Sequence, residues 1–368
     1  MAASLRPLRA LRAFERGLGR GKTSWDYKRK VAAQLRALHG ALPAQAFDFD
    51  PAPARAFLAR LFPGYGDLRW HRVYAAASGR QAATYLPEDV FYFHVLPALN
   101  PPERWPVYVD KNVVPSLGLA PVPRVVARVV RGRLVDAERR PLRATEALER
   151  ARSLTTVVVK PARASGSGRG VRRIEVAALA SELDALCRDG GGDWLLEEAL
   201  EQAAELAALN ADSVNTYRVL TLRADSSLHV VSTVVRVGRA GSLVDNVNAG
   251  GLVVGVHDDG ALNALAFTGD AVPHERHPDH GYLFGEQRVV DPRVAHEVSL
   301  AVHERIPDVD LLSFDVAMVP GPRAVLLELN VSWQGITMHQ LCNGPLLGEF
   351  QEAAVRPTRV RTVGGLLI

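Results

Sequence analysis

Cysteine and lysine are both scarce in this chain. Of its 368 residues two are Cys, Cys187 and Cys342, and they stand far apart in sequence. That excludes a disulfide framework and a Cys-rich zinc site, and it suits a reducing, cytoplasmic setting. No apolar run approaches the roughly 18 residues of a membrane-spanning helix. No residue class recurs at the fixed period of a solenoid. Only five of the 44 basic residues are Lys, and three of those fall within residues 22–30. Lys111 and Lys160 are the two that remain in the body. Where Arg is the default cation, a retained Lys points to a need for a compact point charge.

The charge that is present is uneven. The formal net charge is +4, yet residues 1–40 hold ten Lys or Arg against Glu15 and Asp26, which leaves the rest of the chain mildly acidic. The basic character therefore belongs to an N-terminal arm and carries no nucleic-acid signal. In that arm Leu5, Leu8, Leu11, Phe14 and Leu18 recur at helical spacing with arginines between them. Such a segment is an amphipathic helix that touches an anionic membrane surface, a transit peptide, or a terminal helix packed on the body. With 48% hydrophobic and 23% charged residues, the chain has the composition of a globular enzyme.

The strongest local pattern is Leu312–Met318, then Pro320-Gly321-Pro322-Arg323, then Val325–Asn330. Gly321 suits a two-residue hairpin loop flanked by Pro320 and Arg323. That register sets Asp315 directly opposite Glu328, with Asn330 on the same face. Opposed carboxylates repel unless a cation lies between them, and Asp, Glu and Asn oxygens are what Mg²⁺ takes. The other face, Phe314, Val316, Leu327 and Leu329, reads as core. The alternative is a charged edge hairpin.

Elsewhere, helices are expected over 25–40, near 54–62, over 177–188 and over 292–305. The Tyr74–Tyr92 stretch reads as mixed strand and helix, and a short helix is expected over 110–118. Strands are expected at 125–130, 156–161, 171–176, 194–198, 214–223 and 228–238. Local hairpins among mixed elements argue for an α+β class. Lys160 ends a β-branched strand and precedes a small-residue loop with Gly166, Gly168 and Gly170. Free backbone N–H groups there could cradle phosphates, although Gly-rich hairpins are common and no Walker or dinucleotide fingerprint is present. The strand Trp194–Glu198 runs apolar into acids. Arg218 and Arg236 lie within apolar strands and need a partner or an anion. His274, His277 and His280 could hold a metal, but Pro273 and Pro278 disfavour a shared helical face.

The order of these features resembles the ATP-grasp superfamily, and within it the sugar-transfer-associated family. The resemblance runs from about Trp70 to Gln340. It is carried by Asp110-Lys111-Asn112, Val159-Lys160-Pro161, Ser213-Val214-Asn215-Thr216-Tyr217-Arg218, Asp245-Asn246 with Gly250-Gly251, His277-Pro278 and the acidic hairpin. It implies two α+β lobes gripping ATP, with an N-terminal helical or mixed subdomain. The divisions are a basic arm over 1–40, a subdomain over 41–105, lobes over 106–200 and 201–350, and a tail over 351–368. By the same resemblance Lys111, Lys160 and the three glycines contact the phosphates. Glu197, Glu198, Leu200, Glu201 and Asn215 line the nucleotide. Asp315, Glu328 and Asn330 bind Mg²⁺, or Mn²⁺ in its place. Arg218, Arg236 and Asn246 act on the phosphoryl group and the substrate.

The activity so implied is ligation of a small-molecule carboxylate to an amine or hydroxyl acceptor through an acyl phosphate, in cell-surface polysaccharide or related biosynthesis. The alternatives are a small-molecule kinase on the same ATP site and a non-catalytic nucleotide-binding partner of a glycosyltransferase system. One departure bears on the choice: many relatives carry Arg two residues before the metal Asp, where this chain has Ser313.

Overall fold

The computed structural model describes residues 28–41, 49–112, 115, 118–163, 168–189, 192–321 and 323–355. The basic arm before residue 28 and Gly166 lie outside the described residues, as do residues 113, 114, 116 and 117 of the short helix expected over 110–118. No helix among the described residues is long and apolar enough to cross a membrane. The chain divides into two compact units, residues 1–98 with 355–368, and residues 99–354.

The first unit is helical where described. A helix over 28–40 buries Val31, Leu35 and Leu38, which recur at helical spacing. The next helix, Pro51–Leu61, starts where the Asp50 side chain accepts from the Ala52 N–H and proline fills the first helical position. Residues 69–95 correct the mixed expectation: Arg69–Ser78 and Glu88–Val90 are α-helical, Phe91–Val95 is a π-turn, and no strand forms. Tyr74, on the first of these helices, and Tyr85, in the loop before Glu88, pack into one core with their rings 4.8 Å apart. Burial decided the conformation there, not aromatic β-propensity.

The second unit holds two antiparallel sheets. The smaller comprises β1 (Val125–Val130), β2 (Arg133–Val135), β3 (Thr156–Pro161), β4 (Arg172–Glu175) and β5 (Trp194–Glu198), in the order β2-β1-β5-β3-β4. Helices Ala144–Ala151 and Leu179–Asp189 cover one face, against Ala127, Val129, Val157, Val159 and Leu196. Because side chains alternate, Arg128, Lys160 and Glu197 are left on the opposite face.

The larger sheet comprises β6 (Thr216–Ala224), β7 (Ser227–Val237), β8 (Leu252–Val256), β9 (Leu262–Phe267), β10 (Pro273–His274), β11 (Leu311–Val319) and β12 (Arg323–Asn330). Its order is β10-β9-β8-β7-β6-β11-β12. Asp225 and Ser226, both at positive φ, make the tight turn between β6 and β7. The helix Arg293–Glu304 closes the core face over Tyr217, Val219, Val235, Phe314 and Val316. The outer segment is pinned by Asn100. Its amide donates to the carbonyls of Leu311 and Val331 at 2.6 and 2.8 Å, and its oxygen accepts from the N–H of Leu311 at 2.9 Å.

His303, at the end of that helix, is buried between the Thr221 hydroxyl (2.6 Å) and the Val309 carbonyl (3.1 Å). Burial pushes its pKa down to about 4, from 6.5. A depressed folded-state value means that the unfolded chain binds the proton more readily at lower pH. Stability from this group is therefore complete above pH 6.5 and is lost as pH falls toward 4, at about 1.4 kcal/mol per pH unit. Urea unfolding at pH 7 and pH 5 checks this: the loss should shrink in His303→Gln, and an identical loss there would remove His303 as its source.

Candidate active site

The hairpin β11–β12 sets Asp315 opposite Glu328, as the sequence pattern implies, but by a different route. Val319 pairs with Arg323, so the loop spans residues 320–322, with Gly321 at φ +82°. A β-bulge between Asp315 and Val316 then absorbs the one-residue shift. The bulged residue is Leu327. The core face is filled by Leu326 instead, and Leu327 lines the crevice between the two sheets beside Lys111, Glu197 and Glu328. The expectation that Leu327 belongs to the core is thereby corrected.

Across the outer face of the large sheet, cross-strand partners form rows. One row runs Glu328, Asp315, Arg218, Val234. Arg218 grips both oxygens of Asp315 at 2.7 and 2.8 Å. Arg236, in the next row beside Thr216, lies 3.1 Å from Asp315 and 3.3 Å from Asp245. Burial alone would raise the Asp315 pKa, but Arg218 and then Arg236 outweigh it and hold the carboxyl below the usual range. Asp245 is shifted the other way, up, because burial dominates despite Arg236. It accepts from the Thr216 hydroxyl at 2.5 Å. Gly250, at φ +91°, and Gly251 let that loop fold back: a Cβ on Gly251 would sit 2.5 Å from the Asp245 carbonyl.

Lys111 meets this row from the side of the smaller sheet, and Lys160 stays paired within that sheet. Lys111 N–H donates to the Ala162 carbonyl, just past the end of β3, which places it beside Lys160. Lys111 Nζ lies 2.7 Å from Glu328, and Lys160 Nζ lies 2.5 Å from Glu197. Gly168 and Gly170 hold positive φ, and a Cβ on Gly168 would meet Val244 at 2.8 Å. The β3–β4 loop therefore comes against the segment after β7. Leu200 is half-buried and Glu201 exposed at the end of β5, and Glu198 accepts from the Arg124 N–H at 3.0 Å.

Two expected site residues are engaged elsewhere. Asn215 is buried and uses its amide on Leu206, Asn210 and Gln202 and its oxygen on Ser213 and Gly238, so it clamps backbone rather than facing a nucleotide. Asn246 caps the short turn Val247–Ala249 through the Asn248 N–H. The neighbour Asp245, with Thr216, is the residue that reaches the cluster. His277 is likewise structural: Nε2 bonds the Gly238 carbonyl and Nδ1 accepts from the N–H of Asp279 and His280. His280 stacks on it at 4.7 Å, and no metal grouping forms among the described residues.

The sequence matches the family described as sugar-transfer associated ATP-grasp over residues 94–353. The chain belongs to that family. A search of curated proteins finds no match. Among solved structures, this ATP-grasp chain is similar to the ATP-grasp ligase PsnB complexed with a minimal precursor, at 14% identity and TM-score 0.39, covering 71% of this chain and 63% of that one. It is similar also to the D-cycloserine synthetase DcsG, at 15% identity and TM-score 0.38, covering 70% of each. A third is a D-alanyl-alanine synthetase A from Vibrio cholerae, at 14% identity and TM-score 0.37, covering 64% of this chain and 60% of that one. The chain thus spans under two thirds of the first and third.

The family is described as ATP-grasp, and the crevice between the sheets is lined by Lys111, Glu197, Leu327 and Glu328. Asp315, Glu328 and Asn330 fit Mg²⁺ as hard oxygen donors on one face of neighbouring strands. They are two carboxylates and one amide, too few for a closed cage, which suits an ion that completes its shell with phosphate and water.

Proposed function

We propose that this chain is an ATP- and Mg²⁺-dependent ligase that joins a small-molecule carboxylate to an amine or hydroxyl acceptor through an acyl phosphate. Its setting is cell-surface polysaccharide or related small-molecule biosynthesis, in keeping with the sugar-transfer association of the family. The observation that carries the reading is the charged row. Asp315 and Glu328 face each other with Arg218 and Arg236 on one side and Lys111 on the other.

Each residue has a distinct task. Lys111 and Lys160 turn from their carboxylate partners to the nucleotide phosphates. Mg²⁺, held by Asp315, Glu328 and Asn330 when bound, offsets phosphate charge during phosphoryl transfer. Arg218 and Arg236 present forked N–H donors to the carboxylate as it becomes an acyl phosphate, in a water-poor site where such donors act strongly. Their positions also meet the departure at Ser313: Arg218 stands opposite Asp315 on β6 and supplies a guanidinium from the neighbouring strand.

The test is incubation of purified protein with Mg-ATP, a metabolite extract and hydroxylamine, read by mass spectrometry with ADP quantified. A hydroxamate that disappears in Glu328→Gln is expected. The second reading, a kinase acting directly on a hydroxyl, is favoured by Ser313. ADP with a phosphorylated metabolite and no hydroxamate would replace the ligase with it.

A further inference from the structure

One row below the charged row on the same face lies a row without charge: Asn330, Ser313, Leu220 and Ser232 are successive cross-strand partners. The helix Ile336–Asn343, which packs against β7, β8 and β9, brings His339 to this row, with Nδ1 2.8 Å from the Ser232 hydroxyl. The segment just before that helix passes beside Arg218: a Cβ on Gly335 would lie 3.7 Å from the guanidinium. Gln334 precedes it.

The polar atoms here stand apart from the rest of the site. Ser313 Oγ, Asn330 Nδ2, His339 Nε2 and both polar atoms of the Gln334 side chain are buried and have no hydrogen-bond partner among the described residues. Ser313, Gln334 and His339 are fully buried. A buried polar group without a partner is costly unless something bonds it, so their concentration beside Arg218 points to a seat for a polar molecule. The carboxylates nearby are already matched by cations: Asp315 and Asp245 by arginines, Glu328 by Lys111, Glu197 by Lys160. Among the described residues the row itself carries no carboxylate to balance an ammonium.

The hydrogen-bond pattern assigns the imidazole. Ser232 Oγ accepts from the Asn343 amide at 2.9 Å, and among the described residues His339 Nδ1 is the one acceptor its own proton can reach, which assigns the free N–H to Nε2. His339 is thus a neutral donor, not a base. Gln334 supplies both a donor and an acceptor, and Ser313 a hydroxyl. Such a set recognises hydroxyl groups.

We infer that this neutral row seats the acceptor, and that the acceptor is an uncharged hydroxyl-bearing molecule. This rests on the ligase reading and narrows its acceptor from amine or hydroxyl to hydroxyl. The hydroxyl oxygen bonds to the acyl carbon, the carbon–oxygen bond to phosphate breaks, and the hydroxyl proton leaves with the phosphate. The product is an ester.

The test uses the full chain with Mg-ATP and a metabolite extract as the source of acid and acceptor. ATP-dependent products are collected, freed of ATP and challenged with alkaline hydroxylamine. An ester releases a hydroxamate and is the expected result. A product that resists, as an amide does, overturns the inference while leaving the ligase standing. A phosphate monoester overturns the ligase reading instead and shows that the seat takes a hydroxyl. In parallel, Gln334→Leu and His339→Phe should lower the ratio of ester to directly trapped hydroxamate by on the order of tenfold. Equal loss of both products in the two variants would make the row a structural feature and overturn its role.

Discussion

Glu328→Gln should lower ATP turnover about a thousandfold and leave the fold intact. Loss of one carboxylate ligand removes several kcal/mol of charge stabilisation from phosphoryl transfer, and each 1.36 kcal/mol is about tenfold in rate. The side chain is 33% exposed and its partner is one lysine, so little stability goes with it. Asp315→Asn should lose activity to the same extent and also destabilise the chain. Its side chain is 5% exposed and holds two arginines. Removing the counter-charge of a buried pair costs about 3–5 kcal/mol, or a drop in Tm on the order of 10 °C. ADP release and thermal melts measure the two effects separately. Full turnover in Glu328→Gln would remove the metal assignment.

The second large effect is expected at Arg218. Arg218→Met leaves Asp315 buried with Arg236 as its only close arginine among the described residues and takes N–H donors from the reacting group. Turnover should fall about 10²–10³-fold, the usual range for loss of a preorganised donor. Arg218→Lys restores the charge but not the planar fork that meets both Asp315 oxygens, so it should recover stability and remain at least about tenfold below the native rate. If Arg218→Lys matched the native enzyme in both respects, Arg218 would be a charge balance for Asp315 and nothing more.

The opposed carboxylates were legible in the sequence because alternation along a strand is strict and a Gly-containing turn sets the register within one residue. The loop proved one residue longer than the pattern suggests, and a bulge cancelled the error at Asp315. Leu327 was the casualty: a bulge residue leaves the alternation, and nothing in a run of leucines shows which one does so. Asp245 was hidden beside Asn246, and only the fold-back at Gly250-Gly251, visible as a glycine pair, could have pointed to it.

Asn215 misled because a buried amide that serves backbone and one that serves a ligand are the same letter. The neutral row was illegible for a related reason. Ser313, Gln334 and His339 come from segments on either side of β12, and the sequence pattern carries no expectation for Ile336–Asn343. What marks these residues is the absence of partners, which appears only in three dimensions. The tyrosines at 74 and 92 misled in the opposite direction, since β-propensity is weak against the burial of a helical face.

The central claim is that an acyl phosphate forms over Asp315 and Glu328. The most direct measurement follows oxygen. Carboxylates of a phosphate-free metabolite extract are exchanged with ¹⁸O-water, incubated with Mg-ATP and the protein, and the released inorganic phosphate is analysed by mass. The account predicts one ¹⁸O atom in that phosphate, carried over when the acyl carbon–oxygen bond breaks. Phosphate released without ¹⁸O, or ADP formed with no free phosphate, would contradict it.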